Sequence, residues 1–228
     1  MGVHYGVAKQ SQLIVAKAGL DDTELIEIWA KIQNDILTKG RQGRSVVLFA
    51  RTADPAVPVE IPQREVWEQT KIIMEELIAD DVIIVTGSGN EGEIWDEITA
   101  WPALWAKDEP DFHLIVAGAV NQDGTTADVS QGPVGVTAWA PGHEVLCAAV
   151  GGAGQQVIAT GTSFAVPHIG GLLAYYLALR NTNPTFAIGG GATAQSAAAF
   201  LQQRSSWQHS PAGEQHVVWN LEDATVPA

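Results

Sequence analysis

The hydrophobic positions of this chain follow two alternating spacings. Continuous apolar runs, as in Ser45–Ala50 and Val82–Thr86, are typical of strands that are buried on both faces of a sheet. Between such runs, apolar residues recur every three or four positions, as from Leu25 to Ile36, and this spacing predicts an amphipathic helix. The alternation of buried strands and helices predicts an α/β fold with a mostly parallel sheet.

The rest of the chain continues the same alternation. Strands are expected at Gln12–Ala18, Phe112–Ala119, Val145–Ala149 and Val217–Trp219, and helices at Glu65–Ala79, Ser163–Leu179 and Ala192–Arg204. The stretch from Arg51 to Gln63 holds three prolines and no periodicity, which indicates a loop. Because there is no internal repeat and no low-complexity segment, we interpret residues 1–228 as a single domain.

Composition narrows the expected partners. The chain has 228 residues, 46% of them hydrophobic, which is enough for one sizeable core. Its 26 acidic residues against 12 basic ones give a net charge of −14, so we expect neither nucleic acid nor an anionic membrane as a partner. No apolar run approaches the ~20 residues that span a bilayer. No signal peptide is visible, and the sequence does not indicate the cellular compartment of the protein. The single cysteine, Cys147, is expected to be a small structural residue.

The run Gly161–His168, which reads Gly-Thr-Ser-Phe-Ala-Val-Pro-His, carries the strongest chemical signal. It places Ser163 in the first turn of an apolar helix. Unpaired backbone N–H groups and the helix dipole favour negative charge at that position, which is where a tetrahedral oxyanion needs stabilisation. A serine that only caps a helix would share the first part of this pattern but not the whole run.

Asn90 is the second candidate residue. It lies in Thr86–Gly92, directly after an apolar strand, and ligands of open parallel sheets bind at that edge. Its amide offers two N–H donors without a charge to desolvate. The alternative interpretation is a turn, since asparagine and glycine both tolerate positive φ.

The run Gly161–His168 resembles the nucleophile motif Gly-Thr-Ser-x-Ala-x-Pro-His of the subtilisin-like serine peptidases. Three further segments, Tyr5–Lys17, Leu114–Val120 and Ala140–Gly142, resemble family segments in the same order. The resemblance implies a three-layer, doubly wound, mostly parallel sheet that lacks its N-terminal strands. It also implies endopeptidase activity on a polypeptide, in which Ser163 attacks the scissile carbonyl while Asn90 helps to hold the oxyanion.

The resemblance also points to residues that bind the substrate. Gly87, Ser88 and Gly89 would form the floor of the pocket for the residue before the scissile bond, and their small size suggests an open pocket. The facing family strand normally carries Ser-x-Gly, which this chain lacks. We therefore expect Leu48 or Phe49 to intrude on the pocket.

The other half of the family's catalytic triad is missing from the sequence. Neither Asp-Ser/Thr-Gly nor His-Gly-Thr occurs in the 228 residues, and both would precede the segment at Gly6. His4 lies too close to that segment, and His168, on the nucleophile helix, cannot turn back onto Ser163. Asp21 and Asp22 read as helix caps. The chain alone is therefore expected to be inactive, with the missing N-terminal segment as a partner, for instance on a separate polypeptide.

No metal or other cofactor is expected, since no His, Cys, Asp and Glu cluster has metal-ligand spacing, and the calcium sites of the family would lie mostly upstream. Peptidases of this family are often secreted. A non-catalytic relative that binds peptide or protein is the alternative, and the altered Leu48-Phe49-Ala50 wall favours it. An α/β-hydrolase would need Gly-x-Ser-x-Gly, which Ser163 does not satisfy.

Overall fold

The computed structural model describes residues 7–17, 19, 24–54, 61–151, 154–179, 186–203 and 216–218. Its helices are α1 (Leu25–Thr38), α2 (Ile61–Ala79), α3 (Ala103–Asp108), α4 (Thr162–Leu179) and α5 (Thr193–Gln202). Its strands are β1 (Val46–Phe49), β2 (Ile83–Gly87), β3 (Ile115–Val120), β4 (Ala138–Pro141), β5 (Val145–Ala148) and β6 (Gln156–Ala159).

Four of the strands form one parallel sheet in the order β1-β2-β3-β4. Every residue of β2 and β3 is buried, as expected for central strands that are covered on both faces. The carboxyl ends of all four strands therefore meet at the same edge. The predicted parallel α/β sheet is confirmed.

Helices cover both faces of this sheet. Helices α4 and α5 pack on one face, against alternate strand residues such as Val85 and Ala117. Helices α1, α2 and α3 pack on the other face, around a cluster of aromatic rings that accounts for the tryptophan-rich connection before β3. The rings in this cluster are those of Trp29, Phe49, Trp67, Trp101, Trp105 and Phe112. The three-layer arrangement is thereby confirmed.

Helix α4 is the central helix of the structure. By length and apolar composition alone, it could cross a membrane, yet 56% of its residues are buried inside the protein. Its buried residues fall mostly on one side of its axis, but apolar residues also occupy the other sides, so it shows no polar face such as a surface helix would have. This pattern is typical of a core helix.

The predicted strand Gln12–Ala18 is wrong. Residues 12–17 have no regular secondary structure and belong to no described strand, and Ala18 lies outside the described residues. The side chains of Leu13, Ile14 and Val15 are 56%, 54% and 78% exposed. An apolar run becomes a strand only where a neighbouring strand satisfies its backbone, and no strand in the described part of the chain pairs with this run.

Three elements were absent from the sequence-based prediction: α3, β4 and β6. The predicted strand near Val145 exists, but it pairs with β6 in a separate antiparallel hairpin. Helix α2 begins at Ile61 instead of Glu65. Val217 forms only an isolated bridge with Trp139. The ends predicted at Trp219 and Arg204, like the caps at Asp21 and Asp22, lie outside the described residues.

Candidate active site

Ser163 and Asn90 meet at the carboxyl edge of the parallel sheet. Strand β2 ends at Gly87 and leads within three residues to Asn90, while helix α4 begins at Thr162 and carries Ser163 in its first turn. Ser163 is partly exposed, and its Oγ lies 3.5 Å from the backbone oxygen of Ala50, just after β1. That distance is at the limit of a hydrogen bond, so the hydroxyl is only weakly held.

Thr162 fixes the orientation of the Asn90 amide. The Asn90 Oδ1 accepts hydrogen bonds from the Thr162 backbone N–H at 2.8 Å and from the Thr162 hydroxyl at 3.1 Å. Because a backbone N–H can only donate, the oxygen of the amide must face Thr162. The Nδ2 group is then directed away from Thr162, and Asn90 is an exposed residue.

Gly161 allows this close approach. It has a φ of +150°, and a β-carbon at Gly161 would lie 3.2 Å from Asn90 Oδ1 and 3.3 Å from Asn90 Nδ2. A side chain at this position would therefore be strained and would press on the amide. The glycine that precedes the Thr-Ser pair is thus required by the position of Asn90.

This geometry makes a site that favours a negatively charged oxygen. The first backbone N–H groups of α4, including that of Ser163, have no partner within the helix. The N–H groups of Thr162 and Phe164 already donate to Asn90 Oδ1 and to the Gly161 carbonyl. The candidate donors are therefore the Ser163 N–H and the two N–H bonds of Asn90 Nδ2, at the positive end of the helix dipole. Donors in this arrangement can stabilise the oxyanion of an acyl-transfer intermediate.

The small size of Gly87, Ser88 and Gly89 serves packing. A β-carbon at Gly87 would lie 2.6 Å from the Thr162 hydroxyl. The Ser88 hydroxyl is buried 3.3 Å from that of Ser130. At Gly89, which has a φ of +116°, a β-carbon would lie 1.7 Å from the side-chain oxygen of Gln131. The space beside Gly87, Ser88 and Gly89 is thus filled by neighbouring atoms, which does not support the expected open pocket. That a substrate contacts the backbone of these three residues stays a prediction.

Leu48 and Phe49 do not intrude on the predicted pocket. The Leu48 side chain packs against α4, where a β-carbon on Gly170 would lie 2.0 Å from a Leu48 methyl group. Phe49 points to the opposite face of the sheet and packs edge-on against Trp29, with ring centroids 5.2 Å apart. The alternation of side chains along a strand sends both of them into the two cores.

The glutamine beside Gly89 is Gln131, a residue that no pattern in the sequence had singled out. It is fully buried, and its Nε2 donates to the Glu97 carbonyl at 2.8 Å and to the Thr99 hydroxyl at 3.1 Å. Its own N–H donates to the Gly89 carbonyl at 3.3 Å. Gln131 therefore holds the turn before Asn90, although more than forty residues separate the two positions.

No described histidine is hydrogen-bonded to Ser163. The ring of His168 lies on its own helix, with Nδ1 2.8 Å from the Phe164 carbonyl oxygen, as expected for a structural role. His143 lies in an open cleft of about 510 Å³. His4 and His209 lie outside the described residues. A histidine hydrogen-bonded to Ser163, as a general base would be, is therefore not found in the part of the chain that the structure describes.

The open cleft that contains His143 adjoins the site through Thr160, just before α4, and through Glu93, just after Asn90. Asp123 and Asp128 also line it. Within the described ranges, however, no group of three or more His, Cys, Asp or Glu side chains is placed so that it could hold a metal ion.

Comparison with known proteins agrees with this geometry. The sequence profile of the Subtilase family matches residues 2–213. "Subtilisin-like protease 1" of Pseudogymnoascus destructans is 29% identical over 189 residues, which are 82% of this chain and 42% of that protein. "Subtilisin-like protease 7" of Trichophyton equinum is 32% identical over 179 residues, which are 78% of this chain and 40% of that protein.

A solved structure shows the same fold. A cold adapted subtilisin-like serine proteinase superposes with a TM-score of 0.68 at 18% identity, over 97% of this chain and 71% of that one. The chain therefore belongs to the Subtilase family and has the subtilisin-like α/β fold. It spans about two fifths of the length of the curated relatives that it matches.

Proposed function

We propose that this chain supplies the nucleophile and the oxyanion-binding groups of a serine endopeptidase, with Ser163 as the nucleophile. The observation that carries the proposal is the pair of hydrogen bonds from Thr162 to Asn90 Oδ1, which turns the Asn90 donors away from Thr162 at the start of the helix that carries Ser163. A serine that only capped a helix would not need an oriented amide next to it.

The proposed reaction is acyl transfer from a polypeptide. Ser163 Oγ attacks the scissile carbonyl carbon, a new C–O bond forms, and the carbonyl electron pair moves onto the oxygen. Asn90 Nδ2 and the Ser163 N–H donate to that oxyanion. When the intermediate collapses, the C–N bond breaks and the departing amine takes up the proton that Ser163 lost. Water then releases the acyl group from Ser163 by the same steps.

The proton from Ser163 needs a base, and a group must orient that base. We propose that both come from polypeptide outside residues 1–228, either further along a longer chain or on a separate one. Two observations support this: no described histidine is bonded to Ser163, and the sequence lacks both family motifs. Without the base, the chain keeps only the catalysis that oxyanion binding provides.

A non-catalytic protein that binds peptide is the second candidate. It is favoured by the same lack of a base in the described residues. The two candidates differ in what they require of Ser163, because a binding protein would keep its peptide affinity when the hydroxyl is removed.

The test compares the 228-residue chain with the native gene product isolated from its source. Casein hydrolysis and labelling by a fluorophosphonate probe are measured for both, with Ser163→Ala as the test variant and Ser196→Ala, on α5, as the control. We expect the native product to be active and Ser163→Ala to lose at least about 10³-fold in rate, as in subtilisin itself.

Two results would contradict the proposal. Full activity of Ser163→Ala would exclude a nucleophilic role for this residue. Full activity of the unmodified 228-residue chain would show that the base lies within it. Peptide binding without hydrolysis in the native product would favour the second candidate.

A further inference from the structure

Three chain segments meet beside the candidate nucleophile. The first follows β1, and the carbonyl oxygen of Ala50 in this segment lies 3.5 Å from Ser163 Oγ. The second is the turn that follows β2, the strand paired with β1. The third, residues 97–101, is joined to the first by two backbone hydrogen bonds between Ala53 and Trp101, of 3.1 and 2.8 Å. The three segments therefore bound one region at the carboxyl edge of the sheet.

The side chain of Gln131 fills the space between the second and the third segment. Gln131 is fully buried, and its Nε2 donates to the Glu97 carbonyl at 2.8 Å and to the Thr99 hydroxyl at 3.1 Å, both in the third segment. Its Oε1 lies against the second segment, where a β-carbon on Gly89 would be 1.7 Å from it. The side chain thus reaches from one segment to the other.

The Oε1 atom of Gln131 makes no hydrogen bond in this position. Because a carbonyl oxygen can only accept, Nε2 must face Glu97, and the amide cannot be turned around. Its Oε1 is buried and has no hydrogen-bond partner among the described residues. A buried polar atom without a partner is unfavourable, so its presence requires a reason. What this oxygen contributes is volume, since it occupies the space that the missing side chain of Gly89 leaves.

A side chain of the substrate would lie next to this filled space. In the proposed reaction, the scissile carbonyl carbon bonds to Ser163 Oγ and its oxygen accepts from Asn90 Nδ2. The β-carbon of the residue that carries this carbonyl is two bonds from the carbonyl carbon. It must therefore lie close to the turn that ends at Asn90, and Gly89 is the residue of that turn directly before Asn90.

We propose that Gln131 determines substrate specificity by closing this region, so that the residue carrying the scissile carbonyl must have a small side chain, as in glycine or alanine. Larger side chains, such as those of leucine and phenylalanine, would meet the buried amide. The specificity rests on the proposed function, because it needs a substrate held at Ser163. The steric closure does not, since Gln131 fills the same space whether or not a peptide bond is cleaved.

The first test measures kcat/KM of the native gene product on succinylated tetrapeptide p-nitroanilides that differ only in the last residue, which is alanine, leucine or phenylalanine. The unmodified protein should favour alanine over phenylalanine by about tenfold or more, the scale on which a pocket discriminates by size. Gln131→Ala should shift this ratio toward phenylalanine by about tenfold or more, because the emptied space admits the ring.

Matched variants separate volume from hydrogen bonding. Gln131→Met keeps the length of the side chain but loses the bonds to Glu97 and Thr99, and it should retain the preference for alanine. Gln131→Asn keeps the amide and is shorter by one methylene, so it should shift the ratio in the same direction as Gln131→Ala, but less, even if Gln131→Ala does not fold. The control is Gln33→Ala on α1, which removes a bond of 2.7 Å to Glu76 and should leave the ratio unchanged.

The second test needs no catalysis and uses the 228-residue chain. Toluene, the side-chain analogue of phenylalanine, is titrated into the unmodified chain, Gln131→Ala and Gln131→Met while the amide NMR signals are followed. In Gln131→Ala the emptied space should bind toluene, as cavities made by truncating a buried side chain do, with saturable shifts of the Gly89 and Thr99 amide signals. The unmodified chain and Gln131→Met should show no such shifts.

The results distinguish a failure of this inference from a failure of the proposed function. An inactive native product, or full activity of Ser163→Ala, would count against the proposed function, and the toluene titration would still decide whether Gln131 closes the space. Equal cleavage of the alanine and phenylalanine substrates by the unmodified protein would overturn the specificity.

Three further results would also overturn the inference. An equal shift of the substrate ratio in Gln131→Met and Gln131→Ala would mean that the hydrogen bonds of the amide act, and not its volume. Toluene binding to the unmodified chain at Gly89 would show that the space is open. No binding to Gln131→Ala would show that the space does not depend on Gln131.

Discussion

The side-chain oxygen of Asn90 accepts two hydrogen bonds from Thr162, a residue 72 positions later in the chain. The bonds join the turn after β2 to the first residue of α4. Because Thr162 directly precedes Ser163, the residue that orients the amide also fixes the start of the helix that carries the candidate nucleophile. The candidate nucleophile and the proposed oxyanion donor are thus positioned by one shared contact.

The Thr162 hydroxyl should contribute measurably to stability. Thr162→Val keeps the backbone N–H and the shape but removes the hydroxyl, which donates to Asn90 Oδ1 at 3.1 Å and accepts from the Gly89 N–H at 3.4 Å. We expect a loss of about 1 kcal/mol in the free energy of unfolding. Thr162→Ser, which keeps the hydroxyl, should lose less. Urea unfolding of both variants provides the measurement, and equal stability of Thr162→Val and the parent chain would contradict the assigned bond.

Asn90→Asp should separate folding from catalysis. The aspartate can still accept both bonds from Thr162, so the Tm at neutral pH should change little. It has no N–H to donate, and its charge repels an oxyanion. We expect the rate of peptide hydrolysis by the native gene product to fall at least about 10²–10³-fold, which is the loss known for the oxyanion-binding asparagine of subtilisin itself. An unchanged rate would remove Asn90 from the mechanism.

Gly89 should not tolerate a side chain. In Gly89→Ala, the β-carbon would overlap the Gln131 oxygen at 1.7 Å, in a backbone conformation with a φ of +116° that favours glycine. We expect a loss of at least about 2 kcal/mol in unfolding free energy. Adding Gln131→Ala should recover only part of it, since the backbone strain remains. Full recovery in this double-mutant cycle would show that φ contributes nothing.

Asp81 should make stability depend on pH. Burial, the largest single influence, raises the pKa of its carboxyl, but hydrogen bonds from the Thr193 hydroxyl and from nearby backbone N–H groups together hold that pKa below its ordinary value. Asp81 Oδ1 accepts bonds from the Thr193 hydroxyl at 2.7 Å and from the Thr193 N–H at 3.3 Å, at the start of α5. A lowered pKa means that the folded state favours the charged form.

The stabilisation from Asp81 is therefore complete above the unfolded-state pKa, near 4, and is lost as the pH falls through the lower folded-state pKa. Asp81→Asn tolerates the positive φ of 62°, removes the charge and replaces one acceptor oxygen with an N–H donor. We expect it to cost about 0.5–2 kcal/mol at pH 7, with the difference from the parent chain shrinking below about pH 4. A difference that stays constant down to about pH 2 would exclude this titration.

Long periodic segments were predictable because local spacing is sufficient to define them. Helix α1 and strands β1, β2 and β3 were found near their predicted positions, since their apolar residues match one helix face or a doubly covered strand. Residues 12–17 carry an equally apolar run and are unpaired in the described structure. The run has strand composition, but pairing depends on a neighbour that no local pattern reports.

The features of the candidate site also divide into those that the sequence predicted and those that it did not. The sequence alone determined that Ser163 begins a helix and that Asn90 follows a buried strand, because both depend on short-range pattern. Only the tertiary structure decided which way the Asn90 amide faces, that Gln131 fills the space at Gly89, and that Leu48 packs on α4. These contacts join residues far apart in the chain, and their positions follow from how the layers pack.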